Sequence, residues 1–90
     1  ATTVDSLPIA TYRSSRFQVQ ITQGTDYQSA DLMVIHDGTT ATLIEYGSIA
    51  TANMLATFTS TISGSNLVLQ VNMGSSSSAT VKVVRYGISI

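Results

Sequence analysis

Apolar and polar residues alternate along most of the chain, which is the pattern of β-strands with one buried face. Phe17, Val19 and Ile21 alternate with polar neighbours. Residues 54–62 fit helical and strand spacing equally, but their β-branched threonines favour a strand. The shared parities predict an all-β domain whose core contains Phe17, Val19, Ile21, Leu32, Val34, Leu43, Phe58, Leu69, Val71, Val81 and Val83.

One strand and one turn carry stronger signals than the rest. Residues 32–35, Leu-Met-Val-Ile, are apolar on both parities, which predicts a central strand covered on both faces. Asp37-Gly38 follows, and this dipeptide predicts a tight hairpin of type I′, in which both central residues have positive φ.

Six or seven short strands with frequent turns predict a small antiparallel barrel, of SH3/Sm-like or OB-like size, or a sandwich of five to seven strands. Gly47 and Gly87 lie inside strands and favour the bent barrel. We expect residues 1–10, which contain Pro8, to form a flexible arm, and residues 11–90 to form one β-domain.

The composition narrows the chemistry. The chain has 90 residues with four basic and five acidic side chains, so thirteen serines and thirteen threonines provide most of the polar surface. There is no cysteine, which excludes disulfides and thiolate metal sites. No basic tail and no apolar run of about 18 residues is present, so we do not expect a membrane as a partner.

Catalytic chemistry has few candidates. His36 is the only histidine, and with Asp37 beside it, or Glu45 across the hairpin, it could form a general-base pair. A histidine without a wider constellation is usually structural. The carboxylates match no calcium-loop spacing. We therefore predict no enzymatic activity, no metal and no organic cofactor.

All four basic residues lie in the first and last confident strands, and two tyrosines lie beside them. Three interpretations fit this arrangement: charged edge strands that block aggregation, a contact between subunits, or a site for single-stranded nucleic acid. Nucleic acid is the least favoured because the net charge is −1. We predict self-association, in which the basic side of one copy meets the acidic side of the next. The candidate interface residues are Tyr12, Arg13, Arg16, Lys82, Arg85 and Tyr86.

A resemblance adds a biological setting. The ordered pieces at residues 12–22, 26–28, 34–40, 45–47, 56–58, 62–64 and 81–85 resemble a small module of virion structural and tail-associated proteins of T4-like phages of marine cyanobacteria. The resemblance implies a non-enzymatic virion structural or assembly protein, made in the bacterial cytoplasm, whose partners are itself and other virion proteins. The alternative is a small-barrel module that binds single-stranded nucleic acid.

Overall fold

Seven strands and the turns between them account for the fold in the computed structural model, which describes residues 2–75 and 77–90. No helix occurs among these residues, so the all-β prediction is confirmed. The strands are β1 (Thr2–Pro8), β2 (Tyr12–Gln23), β3 (Asp26–His36), β4 (Ala41–Ala50), β5 (Ala56–Ser63), β6 (Asn66–Met73) and β7 (Thr80–Ser89).

The strands form two antiparallel sheets that pack face to face. The three-stranded sheet has the order β1-β6-β5, and the four-stranded sheet has the order β4-β3-β2-β7. The sheets do not close into a barrel, so the sandwich is the correct alternative. Gly47 lies instead at a register shift of β4 against β3, and a Cβ on Gly87 would come within 2.7 Å of the Tyr12 ring. A bulge and a close approach both use glycine without closing a barrel.

The core lies between the sheets and agrees with most of the predicted set. Eight of the eleven predicted residues are buried, whereas Leu43, Val81 and Val83 are partly buried because they lie on the edge strands β4 and β7. Two large core residues lie outside the predicted set: Leu7, in a segment where we expected no strand, and Leu67, which shares the inward face of β6 with the predicted Leu69 and Val71. The complete buried cluster is Leu7, Phe17, Val19, Ile21, Ala30, Leu32, Val34, Leu55, Ala56, Phe58, Leu67, Leu69 and Val71.

Residues Thr2–Pro8 form a strand of the sandwich, which corrects the expected flexible arm at residues 1–10. β1 pairs with β6, and Leu7 is 1% exposed opposite Leu67. Pro8 ends this edge strand, where a missing backbone N–H is tolerated. Burial of one large side chain therefore fixes a segment that its proline suggested was loose.

The hairpin between β3 and β4 is confirmed, but its predicted type I′ turn is wrong. Gly38 has a φ of 99°, whereas no described residue other than glycine has positive φ, so Asp37 does not adopt the required conformation. The Asp37 carboxylate instead accepts hydrogen bonds from the backbone N–H groups of Thr39 and Thr40, at 3.0 and 2.8 Å. These bonds lower the pKa of Asp37 to about 2.

Candidate contact surface on the four-stranded sheet

The outer face of the four-stranded sheet points away from the core and carries the candidate site. Along β2, Phe17 and Val19 point inward, so Arg16, Gln18 and Gln20 point outward. The antiparallel register then places Met33 beside Arg16 and Asp31 beside Gln18 on β3. Side chains that are adjacent on one face of a sheet in this way are close enough to act together.

Only one face of β3 is covered, which corrects the prediction for residues 32–35. β3 is central in its sheet, and Leu32 and Val34 are buried against the other sheet. On the other face, however, Ile35 is 51% exposed. The sandwich has only two layers, so nothing in the described chain packs on this second face.

Exposed apolar side chains cluster on this face. β4 contributes to the cluster through Tyr46, whose hydroxyl donates to the sulfur of Met33 at 3.7 Å. On β7, Tyr86 lies beside Arg16 and Ile88 beside Ser14. Six apolar side chains on this face are each more than half exposed, and we call them the outer patch: Ile35, Ile44, Tyr46, Val84, Tyr86 and Ile88.

The outer face of the three-stranded sheet has the opposite character. On β5 and β6 it presents threonine, serine, asparagine and glutamine, and its one apolar side chain there, Val68, is only 7% exposed. The Thr59 hydroxyl donates to the side-chain oxygen of Gln70 at 3.3 Å, and the side-chain nitrogen of Asn72 donates to the Thr59 hydroxyl at 3.4 Å. One outer face of the sandwich is therefore almost entirely polar, and the other carries six exposed apolar side chains among its polar ones.

The six candidate interface residues do not stay together. Arg16, Tyr86 and Lys82 share the outer face, with Arg16 directly opposite Tyr86. Arg85 instead reaches β1, where its guanidinium contacts the Asp5 carboxylate at 3.0 Å. The two strands that carry the four basic residues, β2 and β7, pair with each other, but only Arg16 and Lys82 of the four lie on this face.

The other two candidates are structural in this fold. The Arg13 guanidinium donates to the backbone oxygen of His36 at 3.0 Å. Tyr12 is partly buried, and its ring packs on the backbone of Gly87. Neither side chain is as exposed as that of Tyr86, which is 65% exposed.

His36 is buried and both of its ring nitrogens are occupied. Nδ1 accepts a hydrogen bond from the backbone N–H of Gly38 at 3.0 Å. Nε2 therefore carries the hydrogen and donates it to the backbone oxygen of Tyr12 at 2.6 Å. Ala41, not Glu45, lies opposite His36, and Glu45 is exposed opposite Leu32. The pair of His36 with Glu45 is therefore not formed, and the imidazole joins two strand ends.

The sequence analysis missed a buried glutamine. Gln28 is 2% exposed, and its side-chain oxygen accepts the backbone N–H groups of Leu55 and Ala56 at 2.6 and 3.0 Å. Its amide nitrogen donates to the Ser48 hydroxyl and the Ala56 oxygen, at 2.9 and 3.3 Å. Gln28 thus attaches the segment before β5 to the four-stranded sheet.

Metal-ligating side chains are dispersed. Within residues 2–75 and 77–90, no three histidine, aspartate or glutamate side chains are grouped in a way that could hold an ion. Nor does this part of the chain contain a helix that is long and apolar enough to cross a membrane.

Comparison with known proteins leaves the surface as the only guide to function. No protein-family model, no curated protein and no solved structure matches the chain. The resemblance to cyanophage virion proteins therefore stays a prediction. So do the absences of enzymatic activity, metal and cofactor.

Proposed function

We propose that the protein is a non-enzymatic structural domain that binds other protein surfaces through the outer patch. The observation that carries this proposal is the contrast between the two outer faces of one sandwich. One is a hydrogen-bonded hydroxyl and amide surface, and the other presents six apolar side chains that are each more than half exposed. Exposed apolar side chains gathered on one face in this way are typical of interaction sites.

The binding free energy that burial of the outer patch can contribute is enough for a modest contact. Full burial of an isoleucine-sized side chain contributes about 1.5–3 kcal/mol, so covering the exposed half of six such groups contributes on the order of 5–9 kcal/mol. The loss of translational and rotational freedom on association opposes binding by an estimated ~4–15 kcal/mol. Polar complementarity must therefore add to the apolar term for a stable complex.

Two partners fit this role, namely a second copy of the chain and other components of a phage particle. The virion setting rests on the resemblance, and the abundance of hydroxyl side chains with few charges agrees with an assembly role. Detection of the chain in purified particles by mass spectrometry would support this setting. A gene with no tail, baseplate or capsid genes near it would count against it.

Site-specific photo-cross-linking tests the contact surface. A benzophenone amino acid replaces Tyr46 in the outer patch in one variant and Thr59 on the polar face in the matched control. Both positions are exposed and lie on strands. We expect cross-links to protein from position 46 and not from position 59. Equal yields at both positions, or no protein cross-link at position 46, would contradict the proposal.

Single-stranded nucleic acid is the second candidate, favoured by the position of Arg16 directly opposite the exposed Tyr86 on a face that also holds Lys82. A base stacked on Tyr86 with its backbone beside two cations would use this arrangement. Two phosphate contacts give a salt slope of about −1.4, so oligonucleotide affinity should fall about sevenfold between 50 and 200 mM salt. Cross-linking of position 46 to nucleic acid would favour this candidate over protein.

A further inference from the structure

We infer that the outer patch binds a second copy of this chain, face to face about a two-fold axis. The inference rests on the proposed function, because it names the partner of the same surface. Its basis is a pair of opposite charges, Arg16 and Asp31, between the apolar side chains of β3–β4 and those of β7, on a face whose other charged side chain is Lys82 opposite Gln20.

Arg16 and Asp31 are both exposed, and neither has a charged partner in residues 2–75 and 77–90. Among the described residues the one salt bridge joins Arg85 to Asp5, and neither Arg16 nor Asp31 makes a side-chain hydrogen bond. Arg16 lies opposite Met33, and Gln18 lies opposite Asp31, so the two charges are diagonal neighbours on adjacent strands. Such diagonal positions are about 7–8 Å apart.

A two-fold axis in the plane of the interface can exchange these two positions. Arg16 of each copy then faces Asp31 of the other copy, and the pair forms twice. A purely apolar partner would leave both charges buried and unpaired, which is strongly unfavourable. A second copy supplies the opposite charge at both points and covers the outer patch with another apolar surface.

The size of the face suits such a dimer. The chain measures 39 by 21 Å along its two longer axes. A broad face of this size is on the order of the roughly 800 Å² that each partner buries in a standard interface. The outer-patch side chains of β3 and β4 lie on one side of the charge pairs, and those of β7 lie on the other. In the dimer they would exclude water from the charge pairs.

This geometry is better supported than the head-to-tail contact expected from the sequence. The sheet order does place the acidic strands β3 and β4 on one side and the basic strands β2 and β7 on the other. However, β4 is interrupted by a register shift at Asp31 and Leu32 of its partner strand. In addition, Arg85 is already paired with Asp5.

Charge reversal with mixing tests the inference. Sedimentation equilibrium should show wild-type dimers at about 100 µM. Arg16→Glu and Asp31→Arg each place like charges together twice, so each variant alone should dimerise at least tenfold more weakly. A one-to-one mixture of the two variants restores both attractive pairs across the interface and should recover dimers near the wild-type affinity. An ion pair within one chain could not produce this recovery.

Lys82→Glu is the matched control, because Lys82 lies on the same face but outside the central pair. It should change dimer affinity less than threefold, and circular dichroism should show every variant to be folded. A monomeric wild type at about 300 µM, unaffected dimers in either central variant, or failure of the mixture would overturn the inference. Growth beyond dimers would instead favour the head-to-tail contact. If position 46 cross-links to a different protein while the wild type is monomeric, this inference fails and the proposed function stands.

Discussion

Replacing Gln28 by methionine should destabilise the sandwich strongly without leaving a cavity. The two side chains have similar length and volume, so the main change is the loss of the amide group. In the native protein that amide makes four hydrogen bonds, two of them to the backbone N–H groups of Leu55 and Ala56. The substitution leaves these two buried donors without their acceptor.

The magnitude follows from the two orphaned donors. Each buried unsatisfied group reduces stability by about 1–3 kcal/mol, and partial entry of water lowers the sum. We therefore expect a loss of about 2–4 kcal/mol from a total that is about 5–13 kcal/mol for a domain of this length. The melting temperature should fall by about 10–25 °C.

Urea denaturation followed by circular dichroism measures the change. Gln28→Met should lower the midpoint with an unchanged slope, because the surface exposed on unfolding stays the same. Gln20→Met is the matched control: Gln20 is exposed on the neighbouring strand, so we expect a change within about 0.5 kcal/mol. A loss below about 0.5 kcal/mol in Gln28→Met would refute the assigned role of the amide.

Two further predictions address the N-terminal strand and the hairpin. Leu7→Ala should cost about 2–5 kcal/mol by urea denaturation, because Leu7 is 1% exposed in the core, and a loss near zero would restore the flexible arm. Hydrogen bonds to the Asp37 carboxylate lower its pKa from 3.8 to about 2, so its contribution to stability is present above pH 4 and is lost as the pH falls towards 2. Asp37→Asn should therefore be less stable than wild type at pH 6, with the difference shrinking between pH 4 and 2, and a constant difference over that range would contradict the assignment.

The period-two pattern predicted most of the fold because inward residues of a two-layer sandwich must be apolar. Phe17, Val19 and Ile21 were correctly assigned for this reason. Leu7 was missed because its strand is short and ends in proline, so only its pairing with β6 reveals its burial. Gln28 was missed because a buried amide has no pattern in sequence: the three residues to which it bonds, Ser48, Leu55 and Ala56, are distant from it along the chain.

The candidate surface was predicted only in part, because charge and aromatic content were used to find it. That approach identified Arg16 and Tyr86, which are adjacent, but also Arg85, which the fold uses elsewhere. The signal that marks this surface is apolar content on both parities of one strand, which we applied only to β3 and only to predict burial. β4 has it too: Leu43 packs against the core as predicted, whereas only the structure shows that Ile44 is 55% exposed.

The same pattern in β3 fits two structures that a single sequence cannot distinguish: a strand covered on both faces by its own chain, and a strand whose second face is covered by another molecule. Leu32 and Val34 face the core, whereas Met33 and Ile35 face outward, so the strand is apolar on both sides although its own chain covers one. Hydrophobic patterning reflects burial in the functional assembly, and that assembly can include a second molecule. In the dimer that we infer, the partner sheet would cover the open face of β3. The original expectation of a strand buried on both faces would then hold for the assembly, with Arg16 and Asp31 fixing the orientation of its two copies.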